Sequence, residues 1–172
     1  MLPPWKDGSM VVISDTSPIS ALIRLGELPL LFSIFNQEII LPYAVYEELL
    51  RLQEFGYSVE ETLDVEWLTI KSASPSKLFS ELKTKLDPGE AEAIALASEQ
   101  DAVLLIMDER NGVSIAQSLN IETTGLIGVL VRAKRAGIIP SLRTYLDRLR
   151  SESQFFISKG LYQLALKLAD EE

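Results

Sequence analysis

The chain has 172 residues, 47% of them hydrophobic, which is enough to bury one sizeable core in a single domain spanning residues 1–172. Cysteine and histidine are absent, so thiolate nucleophiles, disulfides, imidazole bases and the usual zinc sites are excluded, and any chemistry must run on carboxylates, hydroxyls and a bound ion. A formal charge of −9 argues against coating nucleic acid by bulk electrostatics, although residues 102–169 are locally basic, with nine Lys and Arg against five acids.

Residues 1–9 read as a flexible N-terminus, and the apolar run 10–13 is too short for a signal peptide or a membrane span, so no membrane association and a cytoplasmic setting are expected. That run reads as a first strand. It is followed by Asp15, then by Ser17 and Pro18, which signal a helix over 18–25 closed by Gly26. A second helix is predicted over 28–35 and a second strand over 38–41. After Pro42 comes a helix over 43–55, closed by Gly56, with Val45, Leu49 and Leu52 on one face at helical spacing. Residues 65–70 read as a third strand and 76–86 as a helix. Asp87-Pro88-Gly89-Glu90 opens another, with Asp87 as cap and an alanine-rich continuation whose small side chains permit close approach to a sheet. Strands are expected over 102–107 and 121–123, and helices over 110–119, 125–136, 141–150 and 159–169, the last capped by Ser158. Residues 155–157 look strand-like, and residues 153–172 read as a closing segment and helix. Strands alternating with helices predict an α/β fold with a parallel sheet covered on both faces, whose ligands sit beyond the carboxyl ends of the strands.

Two strands end in acid, Asp15 and Asp108, and parallel strands ending side by side would bring these like charges together, which calls for a cation. Glu48 and Glu90 are candidates for the same cluster. Each has a plainer alternative. Asp15 could cap the following helix or organise its turn, and Glu90 could be the reciprocal half of a capping box with Asp87. Helical spacing puts Glu48 beside the inward stripe and Glu47 toward solvent. The strand end favours Asp108 over Glu109 as a ligand. Clustered carboxylates suit one or two Mg²⁺ or Mn²⁺ ions, which take oxygen ligands and leave room for water and phosphate. Thr16 and Ser17 could hydrogen-bond a metal ligand or a phosphate, or simply serve the turn. Arg110 and the basic residues between Arg132 and Arg150 could hold a nucleic-acid backbone, or form the solvated faces of amphipathic helices. A nucleotide-binding or phosphotransfer enzyme is disfavoured, because no glycine-rich phosphate loop follows the first strand.

With these residues assembled, the chain resembles the PIN domain, and more narrowly a prokaryotic PIN-like family of predicted nucleic-acid-binding proteins related to the VapC toxins. The resemblance covers almost the whole chain. It rests on Ser14-Asp15-Thr16-Ser17-Pro18, the helix after Pro42 with Glu48, Asp87-Pro88-Gly89-Glu90-Ala91-Glu92-Ala93, Leu105 to Arg110, Thr124 to Leu130, and the helix that closes the chain. It implies a three-layer α/β/α fold with a central parallel sheet of about five strands. It also implies that Asp15, Glu48, Glu90 and Asp108 form a catalytic acidic quartet binding Mg²⁺ or Mn²⁺, with Thr16, Ser17 and Arg110 on the substrate. The implied activity is hydrolysis of single-stranded or structured RNA, by analogy with toxins that are silenced by a small antitoxin protein and form homodimers. Asn111 and Val113 depart from that pattern, since close relatives are expected to carry basic residues there. This departure, with the acidic balance, motivates the alternative of a non-catalytic module that binds nucleic acid or protein.

Overall fold

The computed structural model describes residues 10–101 and 103–172, so the flexible start expected for residues 1–9 lies outside the described residues. Five short strands, β1 (Val11–Ser14), β2 (Ile39–Pro42), β3 (Leu68–Lys71), β4 (Val103–Ile106) and β5 (Glu122–Thr124), form one parallel sheet in the order β3-β2-β1-β4-β5. Side chains alternate between its two faces. Val12, Leu104 and Ile106 enter one apolar cluster, while Ile13, Val103 and Leu105 enter the other, so the central strands β1 and β4 are buried on both sides.

Ten helices cover these faces among the described residues: α1 (Thr16–Leu25), α2 (Leu30–Phe35), α3 (Tyr43–Leu50), α4 (Val59–Leu63), α5 (Lys77–Lys83), α6 (Pro88–Ser98), α7 (Arg110–Ser118), α8 (Leu126–Arg135), α9 (Leu142–Glu152) and α10 (Lys159–Leu168). Apolar residues of α1, α2, α3, α8, α9 and α10 share one cluster, and those of α5, α6 and α7 share the other. The result is the three-layer α/β/α arrangement of a PIN-like fold. Nine of the eleven residues of α6 are buried, because its alanines let the helix lie directly on the sheet. No helix among the described residues is long and apolar enough to cross a membrane.

The local differences from expectation have physical reasons. Helix α1 starts at Thr16 rather than after Ser17, because the Asp15 N–H still pairs with the Ile106 carbonyl at 2.9 Å and the strand ladder hands over directly to the helix. The predicted helix over 43–55 divides into α3 and a 3₁₀ turn, Arg51–Phe55, which tightens the end before Gly56. Residues 155–157 are not a strand. Gln154 takes a left-handed φ of 59°, and the Phe155 N–H turns back to the Leu149 carbonyl at 3.3 Å on α9 instead of to a sheet edge.

From β1 the chain builds outward through β2 to β3, then crosses back to place β4 on the other side of β1. The reversal falls between β1 and β4, and in such sheets a crevice opens beyond the strand ends at that point. Asp15 follows β1 and Asp108 lies two residues past β4, so both border the crevice.

Candidate functional site

A cavity of about 650 Å³ lies at this switch point. Asp15, Glu48, Glu90 and Asp108 all line it, brought there by β1, α3, α6 and the end of β4 respectively. Glu47 is exposed and does not line it. Thr16 and Ser17 lie on the wall as the first residues of α1. Arg110 does not line the cavity. Its neighbour Glu109 caps α7 by accepting hydrogen bonds from the N–H groups of Asn111 and Gly112, at 3.0 and 2.6 Å, which leaves Arg110 exposed on the first turn.

Backbone donors and one hydroxyl fix two of the carboxylates. The Thr16 hydroxyl donates to Glu48 Oε2, and the Gly89 N–H donates to Glu48 Oε1 at 3.0 Å. A Cβ on Gly89 would stand 2.8 Å from both Glu48 oxygens, so glycine is what lets the start of α6 approach the carboxylate. The start of α8 repeats the device. The Leu126 N–H donates to Asp108 Oδ1 at 3.1 Å, and a Cβ on Gly125 would come within 2.5 Å of that oxygen. Helix N-termini carry partial positive charge, and the Leu126 contact favours the ionised form of Asp108.

Asp15 is different. It is 4% exposed, and its Oδ1 is buried with no hydrogen-bond partner among the described residues. An orphaned carboxylate oxygen is costly unless something outside the chain satisfies it. A family model described as a PIN domain matches residues 11–171. The chain belongs to the PIN-domain family. The PIN fold is a nuclease-type fold, and PIN domains typically use divalent metals. Comparison with curated proteins and with solved structures gave no match.

The PIN-domain cavity suits a hard cation in its donor chemistry, because carboxylate and hydroxyl oxygens dominate its polar lining and one Asp15 oxygen has no partner among the described residues. Among the described residues no three acidic side chains stand close enough together to enclose one ion. Magnesium generally takes only one or two protein carboxylates, with water and phosphate completing its shell.

The electrostatics carry the same signature. Burial pushes the Asp15 carboxyl up to about 7; the Thr16 N–H opposes this, and the charges of Asp87, Glu48 and Asp108 add to it. Burial raises Asp108 to about 6 against the Leu126 hydrogen bond. Glu90 is raised by burial, by its hydrogen bond with Asp87, and by the neighbouring negative charges. Asp87 accepts the Glu90 N–H at 2.9 Å as the cap of α6 and also lines the cavity, a double position that the capping signal concealed.

Sequence reasoning passed over two further groups on the PIN-domain wall. Ser20 and Arg24 join the expected Ser17 on the cavity wall from one face of α1, and their i, i+3, i+7 spacing was the available signal. Phe155 and Phe156 line it from the loop between α9 and α10, which no local pattern connects to Asp15.

Proposed function

We propose that this PIN domain is a Mg²⁺- or Mn²⁺-dependent endoribonuclease that hydrolyses RNA phosphodiester bonds. The observation that carries the reading is the convergence of four carboxylates from four separate elements on one crevice, with a buried Asp15 oxygen lacking any partner among the described residues. Asp15 and Asp108 would hold the metal, with Glu48 and Glu90 completing the acidic set. A bound divalent ion supplies charge neutralisation at the phosphate and a lowered pKa for water.

The chain's own residues do the rest. Thr16 and the Gly89 N–H hold Glu48 in one orientation, and the Leu126 N–H does the same for Asp108, so neither acid must reorganise when substrate arrives. Asp15 and Glu90, whose acidity burial weakens, release protons as a cation binds, which couples metal affinity to pH. Arg24 lines the same cavity and offers a positive charge to a phosphate that the carboxylates alone would repel. The toxin role, with a small silencing partner and a homodimer, is the form of this proposal that the resemblance to the VapC relatives supports.

The deciding experiment is digestion of RNA with and without Mn²⁺, using Asp15→Asn and Asp108→Asn as controls. Cleavage that needs the metal and falls by at least about 100-fold in each variant is expected. Cleavage that survives both substitutions would sink the proposal. A second reading, a binding module that keeps the acidic cavity without cutting, draws on the absence of any three close acids among the described residues. It predicts no saturable Mn²⁺ binding at low-millimolar concentration and no turnover.

A further inference from the structure

The loop between α9 and α10 holds an exposed aromatic ring where the nuclease reading needs a substrate. Phe156 is 85% exposed, yet its loop is pinned on every side. Ser153 is buried and its hydroxyl donates to the Leu149 carbonyl at 2.6 Å, Arg150 donates to the Ile157 carbonyl at 3.2 Å, Ile157 is in the core, and Ser158 caps α10. A chain that buries Ile157 and half-buries Phe155 while presenting the ring between them to solvent is not using Phe156 for its own stability.

The ring's place is specific. Phe155 and Phe156 line the acidic cavity, and they also line a second cavity of about 560 Å³ that shares Asp108 with the first. Arg132 and Arg135 of α8 line this second space, together with Glu122, Thr123 and Thr124 of β5. The exposed Leu161, Leu164 and Leu168 of α10 line it as well. A ligand reaching from Asp108 into this space would therefore meet apolar faces, the Phe156 ring among them, and guanidinium groups. A polyanion with flat apolar units, a single nucleic-acid strand, combines the two; a paired duplex keeps its bases stacked on one another and has no free face to offer.

We propose that Phe156 is a stacking platform for an unpaired base of the RNA next to the bond being cut, with Arg132 and Arg135 set for the phosphates beyond it. This rests on the ribonuclease reading and narrows its substrate to single-stranded RNA. Phe156 is thus a positioning residue that orders the strand across the acidic crevice without touching the reacting phosphate.

The test is fluorescence anisotropy of a labelled single-stranded RNA of about 12 nucleotides with the full chain in Ca²⁺, chosen to support binding without turnover. A duplex of the same sequence and a strand carrying one abasic position are run beside it. Phe156→Ala should weaken single-strand binding by about 5- to 100-fold, Phe156→Trp should retain it, and the duplex should respond to neither. At one position along the strand, removal of the base should cost as much as Phe156→Ala, and combining the two should cost little more. Circular dichroism checks that each variant is folded. Equal losses for single strand and duplex, or no loss for either, overturn the proposal. So does a Phe156→Ala variant that changes oligomeric state in sedimentation while RNA affinity stays put, which assigns the face to a protein contact. If Mn²⁺-dependent cleavage is absent but Phe156→Ala still weakens single-strand binding selectively, the nuclease reading fails and the platform stands. If cleavage is present and binding ignores Phe156, the reverse holds.

Discussion

At the residue scale, Asp15 concentrates the tension of the molecule. Its carboxyl is pushed by burial to about 7, whereas the same group in the unfolded chain titrates near the ordinary 3.8. Between these values the folded chain retains a proton that the unfolded chain has released, so its contribution to stability is complete at the lower pH and is lost as pH rises through about 7. Asp108, raised to about 6, acts in the same direction. Thermal melts in EDTA should therefore show the midpoint falling from about pH 5 to about pH 8. Asp15→Asn should flatten the fall and stabilise the metal-free chain at pH 8 by up to about 4 kcal/mol, the equivalent of the gap between 3.8 and about 7 at about 1.4 kcal/mol for each pH unit. A midpoint that climbs steadily over this range would show that the burial of Asp15 carries no such cost. The acids themselves were legible in the sequence, because strand ends and helical periodicity are local patterns. Arg24, Asp87 and Phe156 were not recognised as wall residues, because membership of the wall depends on how distant elements meet.

At the level of elements, the helix N-termini of α6 and α8 do the positioning, and each relies on a glycine that keeps the approach open. Gly89→Ala should force Glu48 aside while leaving the helix intact, since alanine is the better helix former. Calorimetry should then find Mn²⁺ affinity reduced by about tenfold with little change in melting temperature; an unchanged affinity would mean that the Glu48 contact is dispensable. Glu92 supports the same geometry from below. It is buried, and its carboxylate accepts the N–H groups of Ala44 at 2.7 Å and Ala73 at 3.2 Å, tying α6 to the start of α3 and to the segment after β3. The central strands β1, β2 and β4 were legible as short apolar runs, because burial on both faces removes the alternation, whereas the edge strands β3 and β5 are half-buried or exposed and β5 is the polar Glu122–Thr124. Residues 155–157 misled for the same reason, since two phenylalanines and an isoleucine have strand composition while the direction of the chain is set by Gln154 and by α9. Helix α4 spans only five residues and is too short to show a period.

At the scale of the molecule, the charge of −9 leaves few cations to meet a polyanion, and those lining the two cavities are Arg24, Arg132 and Arg135. For single strands each neutralised phosphate contributes about −0.7 to the slope of log affinity against log salt, so three contacts give a slope of about −2. Anisotropy titrations across a salt series measure it directly. A slope of −5 or steeper would show that a far wider basic surface takes part and that recognition is not confined to the crevice.

The pairing of β1 with β4 joins Ser14 to Ile106 across most of the sequence. On a ribosome, the chain emerges N-terminus first, and Asp15 and Glu48 leave the exit tunnel long before Asp108 has been made. A polypeptide that stops short of β4 lacks one wall of the crevice, so the site can form only after that strand has been made and has slid in beside the first.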